Sequence, residues 1–576
     1  MKRIDIPYAD GSEYVFFPAC CYNGNRFEVL KKEYPPLFEP YEAGVDIPVT
    51  ITDVPRLEKD GSGCIQITTG DLSVPCVGIF NAQKKRATFV FTVQQVAGKN
   101  IGMAYRRGVI ELSAPACRAQ VYHWPHMVEN TEPYEAVEAD IPMKCMEFDC
   151  ADLAEFYQTF LENRKCMAQD CTRPQTPTFA EQFRVQCDKF NRMNWQEKEG
   201  FYDVDTRGEW QPGWVGGAMS GYALMKLGGR LEAERAVKTL HYLFANQAPS
   251  GLFYGMSHQK CDGFGHKGAE KWLLVRKSAD CLYFAFKHFQ LMKDIPQSFL
   301  EGTRKLAERF VSLWEQYHQF GQFVDCDNGE ITVGGSTCGA IVPAALAESY
   351  RFFHDARYLN VAMQSAEMMF TRDAANGYTT GGPGEILQGP DSESAFALLE
   401  SMVVLYEVTQ EKRWLAYAQH CANLCASWVV SYNYVFPPTS EFGRLQMKTI
   451  GCVFANVQNK HAAPGICTLS GNSLYKLYQW TGNELYRELF EDIALSIGQF
   501  MSTKERPICS WQVPEEALVN GVQGMSAESV PLPEGFICER VNMSDWETQA
   551  CVGGVFCGSC WCETSNLLTM AEYPTV

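Results

Sequence analysis

Two hydrophobic patterns divide the chain near Asp149. Before this residue, short segments rich in β-branched and aromatic residues are bounded by turn residues, as in 64–69, 87–93 and 108–112. Segments of this length and composition are typical of β-strands. A β-sandwich is the simplest arrangement for them, and we assign residues 1–145 to this N-terminal domain.

After Asp149, apolar residues recur with the spacing of amphipathic helices. Twelve helices are predicted, near 150–165, 178–193, 214–228, 231–246, 270–292, 298–316, 338–353, 356–370, 392–408, 411–430, 464–480 and 484–501. Their connections alternate, with short ones after 228, 292, 353, 408 and 480 and long ones between them. Successive helices joined in this way run antiparallel, so the long connections share one end of the bundle.

Six helical hairpins with one elaborated end form an (α/α)6 toroid, which we assign to residues 146–504. The fold class expected is therefore mainly α, with a β-sandwich preceding the toroid. Residues 505–576 are expected to pack on the barrel and to be able to contribute to its site. Long loops in a compact domain are usually functional, so we expect the site at the elaborated end.

The composition and charge of the chain limit the classes of partner that we expect it to bind. The chain has 576 residues, of which 46% are hydrophobic and 20% charged, an ordinary globular balance. The net charge of −18 argues against nucleic acid and anionic membranes as partners. No apolar run reaches the length of a membrane-spanning helix, and the first residues lack the apolar segment of a signal peptide.

The number and positions of the cysteines indicate the cellular compartment in which we expect the protein. The chain has 24 cysteines, and those at 281, 421 and 425 occupy apolar helix positions as small hydrophobic residues. This use suits a reducing cytoplasm, where we expect the protein to reside. No cysteine, histidine or carboxylate group has convincing metal-site spacing, so neither a metal nor another cofactor is expected. Homo-oligomerisation stays open.

The segment 377–394, G-Y-T-T-G-G-P-G-E-I-L-Q-G-P-D-S-E-S, carries the clearest chemistry. Its G-G-P-G predicts a tight turn that presents the carboxylate of Glu385 from irregular backbone. Asp391 is predicted to cap the following helix and Glu393 to lie in its first turn. Both can serve the helix alone, whereas Glu385 has no capping role.

The other long loops offer aromatic, amide and cationic side chains. Aromatic faces beside carboxylates, amides and cations are what a sugar site needs, and paired carboxylates supply acid and base or nucleophile for glycoside cleavage. The candidate catalytic residues are Glu385, Asp391, Glu393 and Glu209. The candidate substrate-binding residues are Trp210, Tyr254, Arg276, Asn459, Lys460, His461 and Arg540.

Y-T-T-G-G-P-G-E, P-D-S-E-S, N-V-Q-N-K-H and S-D-W-E, on this two-domain architecture, resemble segments of the six-hairpin glycosidase superfamily. Within it they are most similar to bacterial exo-acting β-glucuronidases. The resemblance implies a bacterial enzyme with carboxylate acid/base chemistry on a carbohydrate substrate. The superfamily also includes unsaturated-uronide hydrolases and sugar epimerases, and polysaccharide lyases have related toroids, so the fold alone does not choose the reaction.

The first hypothesis is a glycoside hydrolase of short glycans, exo-acting on β-glucuronides. Glu385 would be the general acid and Asp391 or Glu393 the base or nucleophile, with Glu209 in reserve. Whether configuration is retained or inverted stays open.

Two alternatives belong to other classes. A polysaccharide lyase or epimerase of uronic acids would use His461 or a tyrosine as base, with Asn459 and Lys460 neutralising the acid group. A non-catalytic glycan-binding protein would bind through the β-domain. Any uronate entering so acidic a chain needs a local cation, for which Lys460, His461 and Arg540 are candidates. Arg276 is a fourth, although pairing with a nearby loop carboxylate is the favoured alternative for it.

Overall fold

The computed structural model describes residues 1–27, 40–46, 54–116, 120–122, 128–130, 140–203, 212, 217–262, 268–384, 388–465, 467–512, 525–526, 528–545, 551–556 and 560–574. Glu209, Trp210 and Glu385 lie outside these residues.

Two antiparallel four-stranded sheets, β1-β9-β8-β3 and β12-β5-β4-β2, form the N-terminal region. The strands are β1 (Lys2–Asp5), β2 (Tyr14–Phe16), β3 (Ile65–Thr68), β4 (Cys76–Asn81), β5 (Arg86–Thr92), β6 (Gln95–Val96), β7 (Lys99–Asn100), β8 (Gly102–Arg106), β9 (Val109–Ser113), β10 (Gln120–Tyr122), β11 (Val128–Asn130) and β12 (Met143–Asp149). Strands β3, β5 and β9 confirm the three segments predicted from the sequence. Both sheets contribute side chains to one hydrophobic cluster.

Strand β5 is buried on both faces. Val90 belongs to the cluster shared by the two sheets, whereas Phe89 and Phe91 belong to the core that continues into the helices. Phe89 packs on Phe156 of helix α1 (Leu153–Asn163), with ring centroids 4.6 Å apart. Because side chains alternate across a strand, covering both faces explains the nearly continuous apolar run of this segment.

The helical region contains α2 (Phe179–Lys189), α3 (Gly217–Leu227), α4 (Arg230–Ala245), α5 (Val275–Leu291), α6 (Gln297–Tyr317), α7 (Val342–Phe353), α8 (Ala356–Arg372), α9 (Ser392–Thr409), α10 (Lys412–Ala426), α11 (Glu441–Arg444), α12 (Asn472–Thr481), α13 (Glu484–Ser496) and α14 (Trp561–Glu572). The pairs α3–α4, α5–α6, α7–α8, α9–α10 and α12–α13 pack as hairpins with short connections, as predicted. Their first members contact one another in the order α3, α5, α7, α9 and α12, which forms an inner row.

One predicted hairpin is wrong. The sequence pattern paired the helix near 150–165 with the helix near 178–193, but α1 packs on α10, while α2 packs on α14. Helix α14 also contacts α3 and therefore extends the inner row. It is buried along most of its length, so its sequence lacks the polar face by which amphipathic helices are recognised. The chain segment after residue 504 thus supplies part of the helical bundle.

Short strands occur in the long connections and the tail: β13 (Trp195–Gln196), β14 (Phe201–Tyr202), β15 (Trp272–Leu274), β16 (Phe323–Asp325), β17 (Ile331–Val333), β18 (Val453–Phe454), β19 (Ala462–Ala463), β20 (Trp511–Gln512), β21 (Met525–Ser526), β22 (Arg540–Val541) and β23 (Val555–Phe556). In the described part of the chain, no helix combines the length and apolar character needed to cross a membrane.

Direct contacts fix the β-domain on the helical region. The Tyr14 hydroxyl lies 2.7 Å from the Tyr157 hydroxyl, and both donate to Gly377 O at 2.8 and 3.0 Å. Tyr22 stacks on Trp428 with centroids 4.7 Å apart. Because Gly377 precedes α9 and Trp428 follows α10, the β-domain lies beside the connections that flank this hairpin.

Candidate active site at the loop face

Three of the long connections meet at one end of the helical bundle, which we call the loop face. Thr337, before α7, donates its N–H to Thr380 O at 2.8 Å. Ser392, at the start of α9, donates its N–H to Ala455 O at 2.8 Å. These bonds join the connections that precede α7, α9 and α12, as their predicted position at one end requires.

Two glycines let the G-G-P-G turn lie directly on its neighbours. Gly381 has a φ of +87°, and a Cβ there would lie 2.6 Å from Ser336 Cβ. A Cβ on Gly382 would lie 2.4 Å from Asp391 Oδ1 and 2.7 Å from Glu393 Cβ. The chain bends at 382–384, as the sequence predicts, and the bend contacts the two carboxylates that follow it along the chain. The predicted presentation of Glu385 lies outside the described residues.

Asp391 caps α9, as predicted. Its Oδ1 accepts the N–H of Ser394 at 2.7 Å, and its Oδ2 accepts the N–H of Gly382 at 3.0 Å. Ser394 Oγ lies 3.0 Å from the same Oδ2. The side chain is fully buried. Burial, followed by the neighbouring charge of Glu393, raises the pKa of Asp391 from 3.8 to about 7.

Beside Asp391, a buried cluster joins α5 to α9. Glu393 Oε2 accepts a hydrogen bond from Arg276 Nη1, and Arg276 Nε lies 3.3 Å from Asp280 Oδ2. All three side chains are at most 2% exposed. Burial alone lowers the pKa of Arg276, but Glu393 and Asp280 outweigh it, so that this guanidinium stays charged. Arg276 is therefore committed to carboxylates of the protein itself.

The segment around Asn456 lies directly beside Asp391. The two residues form an isolated antiparallel β-bridge. Asn456 Oδ1 accepts the N–H groups of Gln458 and Asn459, each at 2.9 Å. This double acceptor fixes the tight turn that leads to Lys460, whose φ is +48°. The loop predicted to hold substrate-binding groups is thus attached to the cap of α9.

The same segment also adjoins the C-terminal tail. Lys460 is 1% and His461 5% exposed. The next residue, Ala462, pairs with Val541 in the sheet β18-β19-β22-β23. This pairing places β22, the strand that carries Arg540, beside β19, which follows His461 directly. The Arg540 guanidinium lies over the Phe556 ring, 3.8 Å from its centroid.

Tyr254 has different neighbours. Burial raises its pKa, followed by the electrostatic influence of Cys326, Cys261 and Asp327. These residues place it near the turn that follows β16. The structure thus brings Asp391, Glu393 and Arg276 into one cluster with the Asn456 segment beside them, while Tyr254 lies near the turn after β16.

The turn after β16 is also where metal-type ligands gather. Asp325, Cys326 and Asp327 have ligand atoms within 4.8 Å of one another in the described part of the chain. Asp325 Oδ1 accepts the N–H groups of Asp327 and Asn328 at 2.8 and 3.1 Å, and Lys271 lies 2.6 Å from Asp327 Oδ2. These bonds explain the presence of both carboxylates, because each one stabilises an exposed turn.

Two buried ion pairs were not predicted from the sequence. Asp280 lies four residues after Arg276 on α5, a spacing that places both on one side of the helix. Lys277 Nζ lies 2.7 Å from Asp262 Oδ1, and both side chains are at most 3% exposed. Opposite charges four residues apart in a helix rich in apolar residues were the available signal for Asp280, because a buried charge requires a partner.

A further polar set ties the inner helices together. Tyr283 of α5 donates to Glu400 of α9 at 2.5 Å, and Ser473 of α12 donates to the other oxygen of that carboxylate. Lys287 of α5 lies 2.8 Å from Glu572 of α14. These bonds link four helices of the inner row and need no substrate to explain them.

No protein-family model matches the chain, and no curated protein matches it either. Solved structures that it resembles include a D-mannose isomerase (12% identity, 69% of this chain and 99% of that chain, TM-score 0.46) and a sugar epimerase from a ruminal bacterium (10%, 69% and 99%, 0.45). Another is a GH76 α-mannanase from Bacteroides thetaiotaomicron (12%, 69% and 95%, 0.43). The fold of the helical region follows from the helix contacts themselves.

Proposed function

We propose that the chain is a glycoside hydrolase that cleaves short glycans at the loop face and is exo-acting on β-glucuronides. The observation that carries this proposal is the buried carboxylate cluster at the loop face. In it Asp391, with a pKa of about 7, adjoins the Glu393–Arg276 ion pair and holds the turn that precedes Glu385. Carboxyl groups with perturbed pKa values gather at functional sites, where they act on the substrate or hold the groups that do.

The roles of the carboxylates follow from their hydrogen bonds. Asp391 and Glu393 are both 0% exposed; both oxygens of Asp391 accept N–H groups of the protein, and Oε2 of Glu393 accepts a bond from Arg276. We therefore assign them a positioning role, in which they hold the turn that leads to Glu385. Glu385 remains our general acid, and Glu209 becomes the proposed second catalytic carboxylate.

In this proposal, the cations beside the Asn456 segment bind the uronate. Arg276 is engaged by Glu393 and Asp280, so it is a positioning residue in this proposal rather than a substrate ligand. Lys460, His461 and Arg540 are proposed to hold the acid group, because strand pairing gathers their segments beside the cap of α9. A cation near an amide-rich turn offsets the repulsion from the acidic chain.

The deciding experiment is a turnover screen of aryl β-glucuronide, β-glucoside, β-galactoside and α-rhamnoside near neutral pH. We expect β-glucuronide hydrolysis, which Glu385→Gln and Glu209→Gln each reduce by about 10²–10⁴. Glu301→Gln, an exposed carboxylate of α6, is the matched control and should keep the wild-type rate. Wild-type turnover by Glu385→Gln, or an ultraviolet-absorbing unsaturated uronide as product, would refute the proposal.

Uronide specificity has its own test. Lys460→Met and Arg540→Ala should reduce turnover of the β-glucuronide far more than that of the β-glucoside with the same leaving group, because only the former carries the acid group. Equal losses on both sugars would mean that these side chains merely build the site, and β-glucuronide specificity would then have to be abandoned.

A further inference from the structure

A cavity of about 650 Å³ lies between the β-domain and the connection after α10, apart from the cluster at Asp391. Its described lining includes Thr68, Lys99 and Asn100 from the β-domain and Tyr434 and Val435 from the connection. Its size falls within the range of about 300–1,000 Å³ that ligand sites occupy. We call this cavity the junction groove.

Hydrogen bonds across the domain boundary hold the junction groove open. Asn100 Nδ2 donates to the Tyr434 hydroxyl at 2.9 Å. Gln94 Oε1 accepts the N–H of Val435 at 2.8 Å, and Gln94 Nε2 donates to Asn100 Oδ1 at 3.1 Å. The walls are thus cross-linked without a ligand. A preformed groove loses little conformational freedom on binding, which favours affinity.

One wall residue has an unused polar group. Thr68 is 4% exposed, and its hydroxyl has no hydrogen-bond partner among the described residues. Buried hydroxyl groups are normally paired, and an exception in a native protein calls for an explanation such as a missing ligand. Because Thr68 lines the groove, a ligand in the groove can supply the partner.

The composition of the lining selects the ligand class. The described lining carries one amine, Lys99, and one carboxylate, Asp545, beside neutral amide and hydroxyl groups and the 58%-exposed Val435. The described lining has no net positive charge and belongs to a chain of charge −18, which does not suit a polyanion. Alternating apolar surface and neutral hydrogen-bonding groups match the C–H faces and hydroxyls of sugars.

We propose that the junction groove is an accessory saccharide site that binds neutral sugar residues of a glycan chain. The choice of saccharide over other neutral polar ligands rests on the proposed function. Asp545 lines the groove only five residues after Arg540, and strand β22, which carries Arg540, pairs with β19 directly after His461. One tail segment therefore links the groove to the proposed uronate-binding cations, so the groove can hold remote units of a longer substrate.

Isothermal titration calorimetry with neutral hexasaccharides of β-1,4-linked glucose, xylose and mannose tests the site on the full chain. Thr68→Val is nearly isosteric and removes only the hydroxyl. We expect it to weaken hexasaccharide binding by about 3- to 10-fold while leaving the unfolding temperature unchanged or higher. Thr303→Val is the matched control. Its hydroxyl donates to Phe299 O at 2.7 Å in α6, so the unfolding temperature should fall while affinity stays unchanged.

A second variant obstructs the groove. Val435→Trp, at an exposed position, should abolish hexasaccharide binding, whereas Leu231→Trp, at a 48%-exposed position on α4, should not. The proposal is overturned if none of the three hexasaccharides binds at about 10 mM, or if Val435→Trp leaves binding intact. Binding of a proline-rich decapeptide that Val435→Trp blocks, without saccharide binding, would instead identify a peptide-docking groove.

The two proposals fail in distinguishable ways. Calorimetric binding in the junction groove does not require turnover, so saccharide binding without aryl glycoside hydrolysis would reject only the hydrolase. Hydrolysis of aryl β-glucuronides without hexasaccharide binding would reject only the groove. If both hold, Val435→Trp should lower kcat/KM for a long glycan and leave that for an aryl glycoside unchanged.

Discussion

The buried carboxyl of Asp391 should make the stability of the protein depend on pH. Its pKa is about 7 in the folded chain, against 3.8 for an ordinary aspartate, because of burial and the nearby Glu393. Between about pH 4 and pH 7 the folded chain therefore keeps a proton that the unfolded chain has released. The folded state binds more protons in this window, so the free energy of unfolding falls as the pH rises.

The size of the loss in the free energy of unfolding follows from the pKa shift of Asp391. One pKa unit corresponds to about 1.36 kcal/mol, so a rise from 3.8 to about 7 represents about 4 kcal/mol lost once the pH exceeds the folded pKa. This is a large part of the 5–15 kcal/mol that typically stabilises a folded protein. Between about pH 5 and pH 7 the expected loss is about 2 kcal/mol, and it reaches about 3 kcal/mol by about pH 8.

Asp391→Asn isolates this contribution because an amide stays neutral at every pH. A protonated Asp391 can donate a hydrogen bond from Oδ2 to Ser394 Oγ at 3.0 Å. The Ser394 hydroxyl then donates its own hydrogen bond to Thr380 O at 3.1 Å. An asparagine Nδ2 can donate in the same way while its Oδ1 keeps the cap. The N–H of Gly382 then loses its acceptor, a constant cost of about 1 kcal/mol.

The assay is urea denaturation followed by circular dichroism, for both proteins, between about pH 5 and pH 8. We expect the wild type to lose about 3 kcal/mol more than Asp391→Asn over this range. Glu563, whose pKa burial also raises, contributes equally to both and cancels. Asp327→Asn is the control, because the lowered pKa of that exposed carboxylate places its titration below this range. A constant difference between wild type and Asp391→Asn would refute the reasoning.

Two further substitutions test the same cluster by urea denaturation. Arg276→Met leaves two buried carboxylates without their cation and should cost about 3–5 kcal/mol. Arg413→Met, at a half-exposed ion pair, should cost at most about 1 kcal/mol, and similar losses for both would contradict the assignment. Gly382→Ala would place a Cβ 2.4 Å from Asp391 Oδ1 and should cost about 1–3 kcal/mol. Gly221→Ala, with 3.4 Å to its nearest neighbour, should be neutral or stabilising, so equal costs for the two glycines would count against steric crowding at the turn.

Much of the fold was predictable from the sequence, because the local preferences of these segments favour the same elements as their packing in the folded chain. The strand at 87–93 follows from β-branched and aromatic residues, and the structure shows why its apolar run is continuous, since both of its faces are buried. The short helix connections carry local turn signals, as at 481–483. Helix α14 was missed because a segment buried along most of its length carries no amphipathic period, and its partners α2 and α3 lie more than 300 residues earlier.

The site was predictable only where its signals are local. The sequence Pro390-Asp391-Ser392-Glu393 predicts a helix cap, and the four-residue spacing of Arg276 and Asp280 predicts an ion pair on one side of a helix. Both signals come from residues close together in the sequence. The contact between Arg276 and Glu393 joins residues 117 positions apart. A pattern of single residues can suggest that such a charge has a partner, but it does not identify the partner.

The cap of α9 explains why the glycine turn and the buried carboxylates belong together. Asp391 accepts the N–H of Ser394 inside the helix and the N–H of Gly382 in the turn, so one side chain joins the two. Glu393, held by Arg276, lies against the same glycine. If these carboxylates only position the turn, Asp391→Asn should lower kcat while the pH profile keeps its shape. A shift of that profile would instead show that Asp391 exchanges its proton with the substrate.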